Sequence, residues 1–194
     1  MTLAIFALIL CFLVFGSNVV IELIQKKSRE KAGESIIKEP WVEIHNIPGY
    51  HDARKVAAFY PLKGEANILP IVEELAREGR LLLPRCTGES TMEFYPISNL
   101  RKELEKGAFG IQEPKANIEP WTGDIPIFLV PGTQFNWDGS RKGHGKGYYD
   151  RYLAKHPKSY KAGLATPKQI TDEPLEQKEN DIKMDSIIAC RERF

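Results

Sequence analysis

Three short apolar runs, each closed by a proline, constrain this chain more than any other feature. Lys55–Tyr60 (KVAAFY) ends at Pro61, Arg80–Leu83 (RLLL) at Pro84, and Ile125–Val130 (IPIFLV) at Pro131. Short runs without polar alternation are the pattern of strands buried on both faces. Between the first two lies a helix signal. Ile68, Ile71, Val72 and Leu75 recur at one-turn spacing, Asn67 can cap the start, Pro70 falls in the first turn and Gly79 stops it. Strand, helix, strand at this spacing is a βαβ unit, whose two strands run parallel. Met92–Ile97 and Tyr160–Ala165 read as further strands, Leu100–Leu104 and Tyr148–Lys155 as helices, and Gly107–Pro120 as loop. Pro40 and Pro48 exclude a long helix just before the first strand. The expectation is an α/β domain with a largely parallel sheet.

A chain of 194 residues has room for one full-sized domain and its core. Its net charge of +1 gives no basic excess, which argues against a nucleic-acid partner. Cys11, Cys86 and Cys190 form no CxxC pair, and His45, His51, His144 and His156 form no HExxH. Neither a zinc site nor a disulfide framework is therefore expected.

The N-terminus is a separate problem. Leu3–Phe15 is uninterrupted apolar sequence, and the first charge is Glu22, followed by the basic cluster Lys26, Lys27, Arg29 and Lys31. A membrane span, a signal peptide and a fully enclosed core helix compete. A span needs about 20 mainly apolar residues, which Thr2–Ile21 supplies. A signal peptide wants a basic start and a small-x-small cleavage site, and neither is evident here. The expected organisation is a hydrophobic segment over residues 1–25 acting as a membrane anchor, and an α/β domain over 26–194. The basic flank would keep that domain in the cytoplasm.

The chemistry-bearing stretch is Pro131–Leu153, PGTQFNWDGSRKGHGKGYYDRYL. It starts at the carboxyl end of the clearest strand and finishes by opening a helix, the edge of an open α/β sheet where ligands bind. Gly143, Gly145 and Gly147 let the backbone approach a bulky anion, and Arg141, Lys142 and Lys146 supply cations beside a helix start. That is a phosphate cradle, although a solvated turn has the same composition. No Ser or Thr follows Lys146, so it is not a Walker A loop.

Gly145-Lys146-Gly147-Tyr148-Tyr149-Asp150, with Arg141 upstream, resembles the signature of the 5-formyltetrahydrofolate cyclo-ligase family. Four further segments resemble that family in the same order. They are Tyr60-Pro61-Leu62-Lys63-Gly64-Glu65, Leu83-Pro84-Arg85, Gly110-Ile111-Gln112-Glu113-Pro114, and Asn180-Asp181 with Lys183 and Asp185. The resemblance implies a three-layer single domain similar to the NagB/RpiA/CoA-transferase-like fold. It implies ATP as co-substrate, Mg²⁺, and conversion of 5-formyltetrahydrofolate to 5,10-methenyltetrahydrofolate, a small-molecule reaction of one-carbon metabolism. Carried over by motif, Arg141 and Lys146 act on the phosphates in catalysis. The nucleotide is enclosed by Arg141, Lys142, Gly143, His144, Gly145, Lys146, Gly147, Tyr148 and Tyr149. Folate contacts fall to Tyr60, Glu65, His144, Gly145, Lys146, Gly147 and Tyr148, and Mg²⁺ to Asp150 and Asp181. Read without the resemblance, Asp150 suits a helix start, Asp181 suits a turn, and both tyrosines suit packing. One departure stands out. The family's N-terminal K-x-x-x-R helix has no counterpart in the first 25 residues, so a catalytically weakened folate- or nucleotide-binding paralogue is a second expectation. A different enzyme on a related α/β scaffold is a third. Neither oligomeric state nor polyglutamate preference can be read from these residues.

Overall fold

The computed structural model describes residues 40–107 and 110–191. The expected membrane anchor over 1–25 lies outside them, as does the segment where the basic helix was sought. Among the described residues no helix is long and apolar enough to cross a membrane.

The chain enters through a short helix α1 (Pro40–His45) and forms β1 (Val56–Ala57), α2 (Leu69–Arg77) and β2 (Leu81–Cys86). Next come β3 (Met92–Pro96), a single turn of helix α3 (Leu100–Glu103), and β4 (Leu104–Lys106) with β5 (Gln112–Pro114). β6 (Ile127–Val130) leads into β7 (Gln134–Asn136), β8 (Arg141–Lys142) and α4 (Tyr148–Leu153). β9 (Tyr160–Ala165), β10 (Ile170–Thr171) and β11 (Ser186–Ala189) complete the fold.

Six strands form the central sheet in the order β11-β9-β6-β1-β2-β3. Every neighbouring pair is parallel except β2–β3, the antiparallel edge. This is the mixed α/β architecture with a mostly parallel sheet that the apolar runs predict. Alternate residues of each strand serve opposite faces. Val56, Leu81, Leu83, Ile127, Leu129 and Leu164 pack with Ile71, Val72 and Leu75 of α2 and Ile44 of α1. Ala57, Leu82, Phe128, Val130 and Ala165 pack on the other side with Phe135 of β7 and with Tyr152 and Leu153 of α4. Fully burying one such leucine contributes about 1.5–3 kcal/mol.

α2 forms for the reasons its sequence gives. Pro70 sits in the first turn, where no N–H is needed, and Ile71, Val72, Leu75 and Ala76 make the buried stripe. Gly79, at φ 66°, turns the chain so that the Arg80 N–H reaches the Leu75 carbonyl at 2.8 Å. Asn67 differs from expectation: Ile68 occupies the cap position, and the Asn67 side chain reaches only the Leu69 N–H at 3.4 Å.

Other boundaries shift for identifiable reasons. The predicted strand over 55–60 forms a ladder only at Val56 and Ala57, after which the chain peels off toward Pro61 while Ala58 and Phe59 stay buried. The second strand runs through Pro84 to Cys86 instead of stopping there. Its pairing with β1 ends at Leu82, so at Pro84 only β3 still pairs with the strand and the missing N–H is tolerated. The predicted loop over 107–120 is partly a hairpin, β4 against β5, and the cradle contains another, β7 against β8.

β1 lies between β2 and β6. The chain steps from β1 to β2 on one side and resumes at β6 on the other. That reversal is a topological switch point, so the crevice beyond the carboxyl ends of β1 and β6 is where a ligand belongs.

Candidate active site

Two loops meet that crevice. Past β1, Pro61–Glu65 makes a tight turn. Gly64 sits at φ 87°, and the Glu65 carboxylate accepts the Leu62 N–H at 2.8 Å while the Glu65 N–H reaches the Leu62 carbonyl at 3.1 Å. Past β6, the chain passes Gly132, where a Cβ would sit 2.9 Å from the Lys142 carbonyl oxygen. This close approach lets the β7–β8 hairpin fold back on its own base. There Thr133 donates to the Lys142 carbonyl from its N–H at 2.7 Å and from its hydroxyl at 3.1 Å.

Arg141 begins the glycine loop but points beneath it. Its side chain is 3% exposed and forms a 2.9 Å ion pair with Asp150 Oδ1. It also donates to the Pro131 carbonyl at 3.3 Å and lies 5.7 Å from the Tyr149 ring centroid. Asp150 Oδ1 accepts in addition the Ile182 N–H at 3.2 Å. The residue after Asp181 is thereby tied to the residue after Tyr149. Asp181 is partly buried, and its Oδ2 accepts the Lys178 N–H at 2.8 Å, closing a local turn.

Lys142, Gly143, His144, Gly145 and Lys146 form the exposed arch of the loop. Gly145 at φ 82° and Gly147 at φ 63° adopt conformations that other residues rarely tolerate, and Gly147 then starts α4. Tyr148 and Tyr149 occupy the first turn of α4, both partly buried. The Tyr148 hydroxyl donates to the Gly88 carbonyl at 3.2 Å. The Tyr149 phenol is pushed well above its ordinary range, first by burial and then by the Glu65 carboxylate, with the Arg141 guanidinium opposing. Glu65, Tyr149 and Arg141 therefore share one electrostatic field across the switch point. Tyr60 packs with the core on the α1–α2 face.

Three residues without a predicted role lie at the end of β2 and on the hairpin tied to it. Cys86, exposed at the end of β2, lies beside Tyr148. Desolvation and the Glu113 charge push its thiol up, while the Tyr148 hydroxyl and Lys146 pull it down. Arg85 donates to Glu105 at 2.6 Å and to the Pro114 carbonyl, tying the β4–β5 hairpin to β2. Glu113, opposite Glu105 in that hairpin, is 9% exposed. Their only signal in the sequence is position: Arg85 and Glu113 each flank a proline of a recognisable motif.

Residues 23–190 match the sequence profile of the 5-formyltetrahydrofolate cyclo-ligase family. The chain belongs to this family. It is 31% identical to the 5-formyltetrahydrofolate cyclo-ligase of Saccharomyces cerevisiae, over 75% of this chain and 80% of the yeast protein. It is 26% identical to the mouse 5-formyltetrahydrofolate cyclo-ligase, over 83% of this chain and 84% of the mouse protein. The solved structure of an Aquifex aeolicus 5,10-methenyltetrahydrofolate synthetase superposes with a TM-score of 0.64 at 33% identity, covering 84% of this chain and 80% of that one.

For a cyclo-ligase the donor chemistry of the site can be tested directly. Mg²⁺ takes hard oxygen ligands, commonly one or two carboxylates completed by phosphate oxygens and water. Asp150 and Asp181 are carboxylates, the donor type Mg²⁺ takes, on segments joined by the Ile182–Asp150 bond. Among the described residues no cluster of three His, Cys, Asp or Glu side chains offers an all-protein cage. A metal at this cyclo-ligase site would therefore draw its remaining ligands from phosphate oxygens and water.

Proposed function

We propose that this chain converts 5-formyltetrahydrofolate to 5,10-methenyltetrahydrofolate with ATP as co-substrate, releasing ADP and phosphate. The observation that carries the reading is the glycine loop at the switch point of a cyclo-ligase-family chain, with Tyr149 just past its exit in the field of both Glu65 and Arg141. In the proposed reaction the formyl oxygen takes the γ-phosphoryl group of ATP, N10 attacks the activated carbon, and phosphate leaves with the former formyl oxygen. A formyl oxygen is a poor leaving group until phosphorylated. The protein's task is then mainly to align the acceptor oxygen and the phosphate and to offset charge.

The Lys146 ammonium and the loop from Lys142 to Gly147 bind the phosphates, Arg141 orients Asp150 from below, and Tyr148 and Tyr149 wall the site. Glu65 and Tyr60 hold the folate, with His144, Gly145 and Gly147 between the two ligands. Asp150 and Asp181 would hold Mg²⁺, which supplies charge neutralisation at the phosphate oxygens. The fold reading goes with this: a NagB/RpiA/CoA-transferase-like domain over residues 26–194, distinct from the apolar segment 1–25.

The test is turnover by purified protein. With 5-formyltetrahydrofolate, ATP and Mg²⁺ the absorbance of methenyltetrahydrofolate should grow, and Lys146→Ala should lower kcat/KM by about a hundredfold or more. No product at any ATP concentration would overturn the activity. Undiminished turnover by Lys146→Ala would overturn the site.

A further inference from the structure

We propose that Arg151, on the exposed face of α4, is a positioning residue that sets the aim of the Lys146–Gly147 peptide and makes the β2–β3 turn a structural part of the phosphate site. This rests on the reading of the glycine loop as the phosphate cradle. The Arg151 guanidinium bonds to backbone at both ends of its fork. Nη2 donates to the Lys146 carbonyl at 2.6 Å, and Nε donates to the Ser90 carbonyl at 3.0 Å. The guanidinium carbon lies 5.8 Å from the Tyr148 ring centroid, and the Tyr148 hydroxyl reaches the Gly88 carbonyl. Nη1 lies so near Gly147 that a Cβ there would be 2.8 Å away. One side chain thus joins the exit of the glycine loop to a turn about 60 residues earlier in the sequence.

The consequence for the site follows from peptide geometry. In a planar trans peptide the C=O and N–H point in opposite directions. Holding the Lys146 carbonyl toward Arg151 turns the Gly147 N–H away from it, to the other side of the loop. Because the acceptors are carbonyls, the clamp depends on the backbone path of Gly88–Ser90 and of Lys146 rather than on their side chains. A planar fork with several donors can bridge two carbonyls and stack on a ring at once. A lysine ammonium on the same stem can serve only part of that. Arg151 is exposed, so its removal should leave the core intact.

The experiment compares Arg151→Ala, Arg151→Lys, Lys146→Ala and the Arg151→Ala/Lys146→Ala pair in full-length protein, measuring KM for ATP, KM for 5-formyltetrahydrofolate, kcat and the thermal midpoint. Arg151→Ala should raise the ATP KM about tenfold, with a smaller change in folate KM. Arg151→Lys should restore part of the loss, and added guanidinium ion should restore Arg151→Ala but not Lys146→Ala. In the Lys146→Ala background, removing Arg151 should add little, because both changes disable one unit. An impaired Lys146→Ala beside an Arg151→Ala of wild-type ATP KM would overturn the clamp and leave the cradle standing. So would fully additive losses. A fully active Lys146→Ala would bring down the cradle itself, and the clamp with it.

Discussion

Arg141 and Arg151 hold the two ends of the glycine loop by opposite means. Arg141, at the entrance, is 3% exposed and paired with a carboxylate, Asp150, at 2.9 Å. Arg151, at the exit, is exposed and satisfied by two carbonyls, those of Lys146 and Ser90. A buried ion pair is strongly interdependent, because removing one partner strands the other charge in a poorly solvated place. Surface bonds to carbonyls carry no such penalty, yet they fix where a backbone segment lies. The entrance therefore anchors the loop to the fold, and the exit sets its shape.

The largest effect should come from breaking the entrance. Arg141→Ala should lower unfolding stability by about 3–5 kcal/mol, read from urea denaturation, whereas Arg151→Ala should cost under about 1 kcal/mol. Arg141 Nε is buried without a hydrogen-bond partner, so the existing pair is itself imperfectly satisfied. Replacing both members by apolar residues, Arg141→Met with Asp150→Leu, should regain much of the loss while abolishing turnover. Equal losses for the two single alanine variants would erase the distinction between the ends.

The exit can be dissected with its glycines. Gly145 and Gly147 share positive φ, 82° and 63°, but differ in surroundings. Nothing lies within 4 Å of a Cβ at Gly145, while one at Gly147 would meet Arg151 Nη1 at 2.8 Å. Gly145→Ala should cost only the backbone term, about 1–2 kcal/mol, and Gly147→Ala that plus displacement of the guanidinium. The excess should appear in the ATP KM and should vanish in an Arg151→Ala background. An excess that persists there would locate the damage in the backbone alone.

This division also explains what the sequence could and could not convey. The strands at Val56, Leu81 and Ile127 were legible because burial on both faces forces continuous apolar runs, and α2 because its buried stripe has helical spacing. The β4–β5 and β7–β8 hairpins were hidden. They are short, and their strands carry Glu105, Gln112, Gln134 and Lys142, so they have no apolar run to display. β11 was hidden too, although it is a core-sheet strand, because its run Ile187–Cys190 lacks the Gly79 and Pro84 punctuation that brackets Leu81–Leu83. For the loop, composition and spacing identified the arch but not its supports. Arg141 read as a cation of the phosphate cradle, and nothing in the spacing showed that its side chain lies under the loop on Asp150, a partner nine residues on. Arg151 had no signal, since its acceptors are carbonyls, which every residue possesses.

A third arginine provides the finest test of whether charge or backbone is what such residues need here. Arg85 bonds both kinds of partner, the Glu105 carboxylate and the Pro114 carbonyl, and has Glu113 nearby as a second negative charge. Glu113 is 9% exposed, and its carboxyl packs on Gly107 so closely that no Cβ would fit there. Burial pushes that carboxyl above its ordinary value, Arg85 pulls it back and Glu105 pushes it up again. A carboxyl raised on folding contributes stability that is fully present below its unfolded value, about 4.3, and is lost as pH rises through the folded value. Glu113→Gln, neutral at every pH, should thus leave the thermal midpoint at pH 4 nearly unchanged and raise it by about 1–2 °C at pH 7. Melting curves at the two pH values decide it. A lower midpoint at pH 7 would mean that Arg85 draws on the Glu113 charge. It would then belong with Arg141 among the arginines held by carboxylates, and not between the two modes.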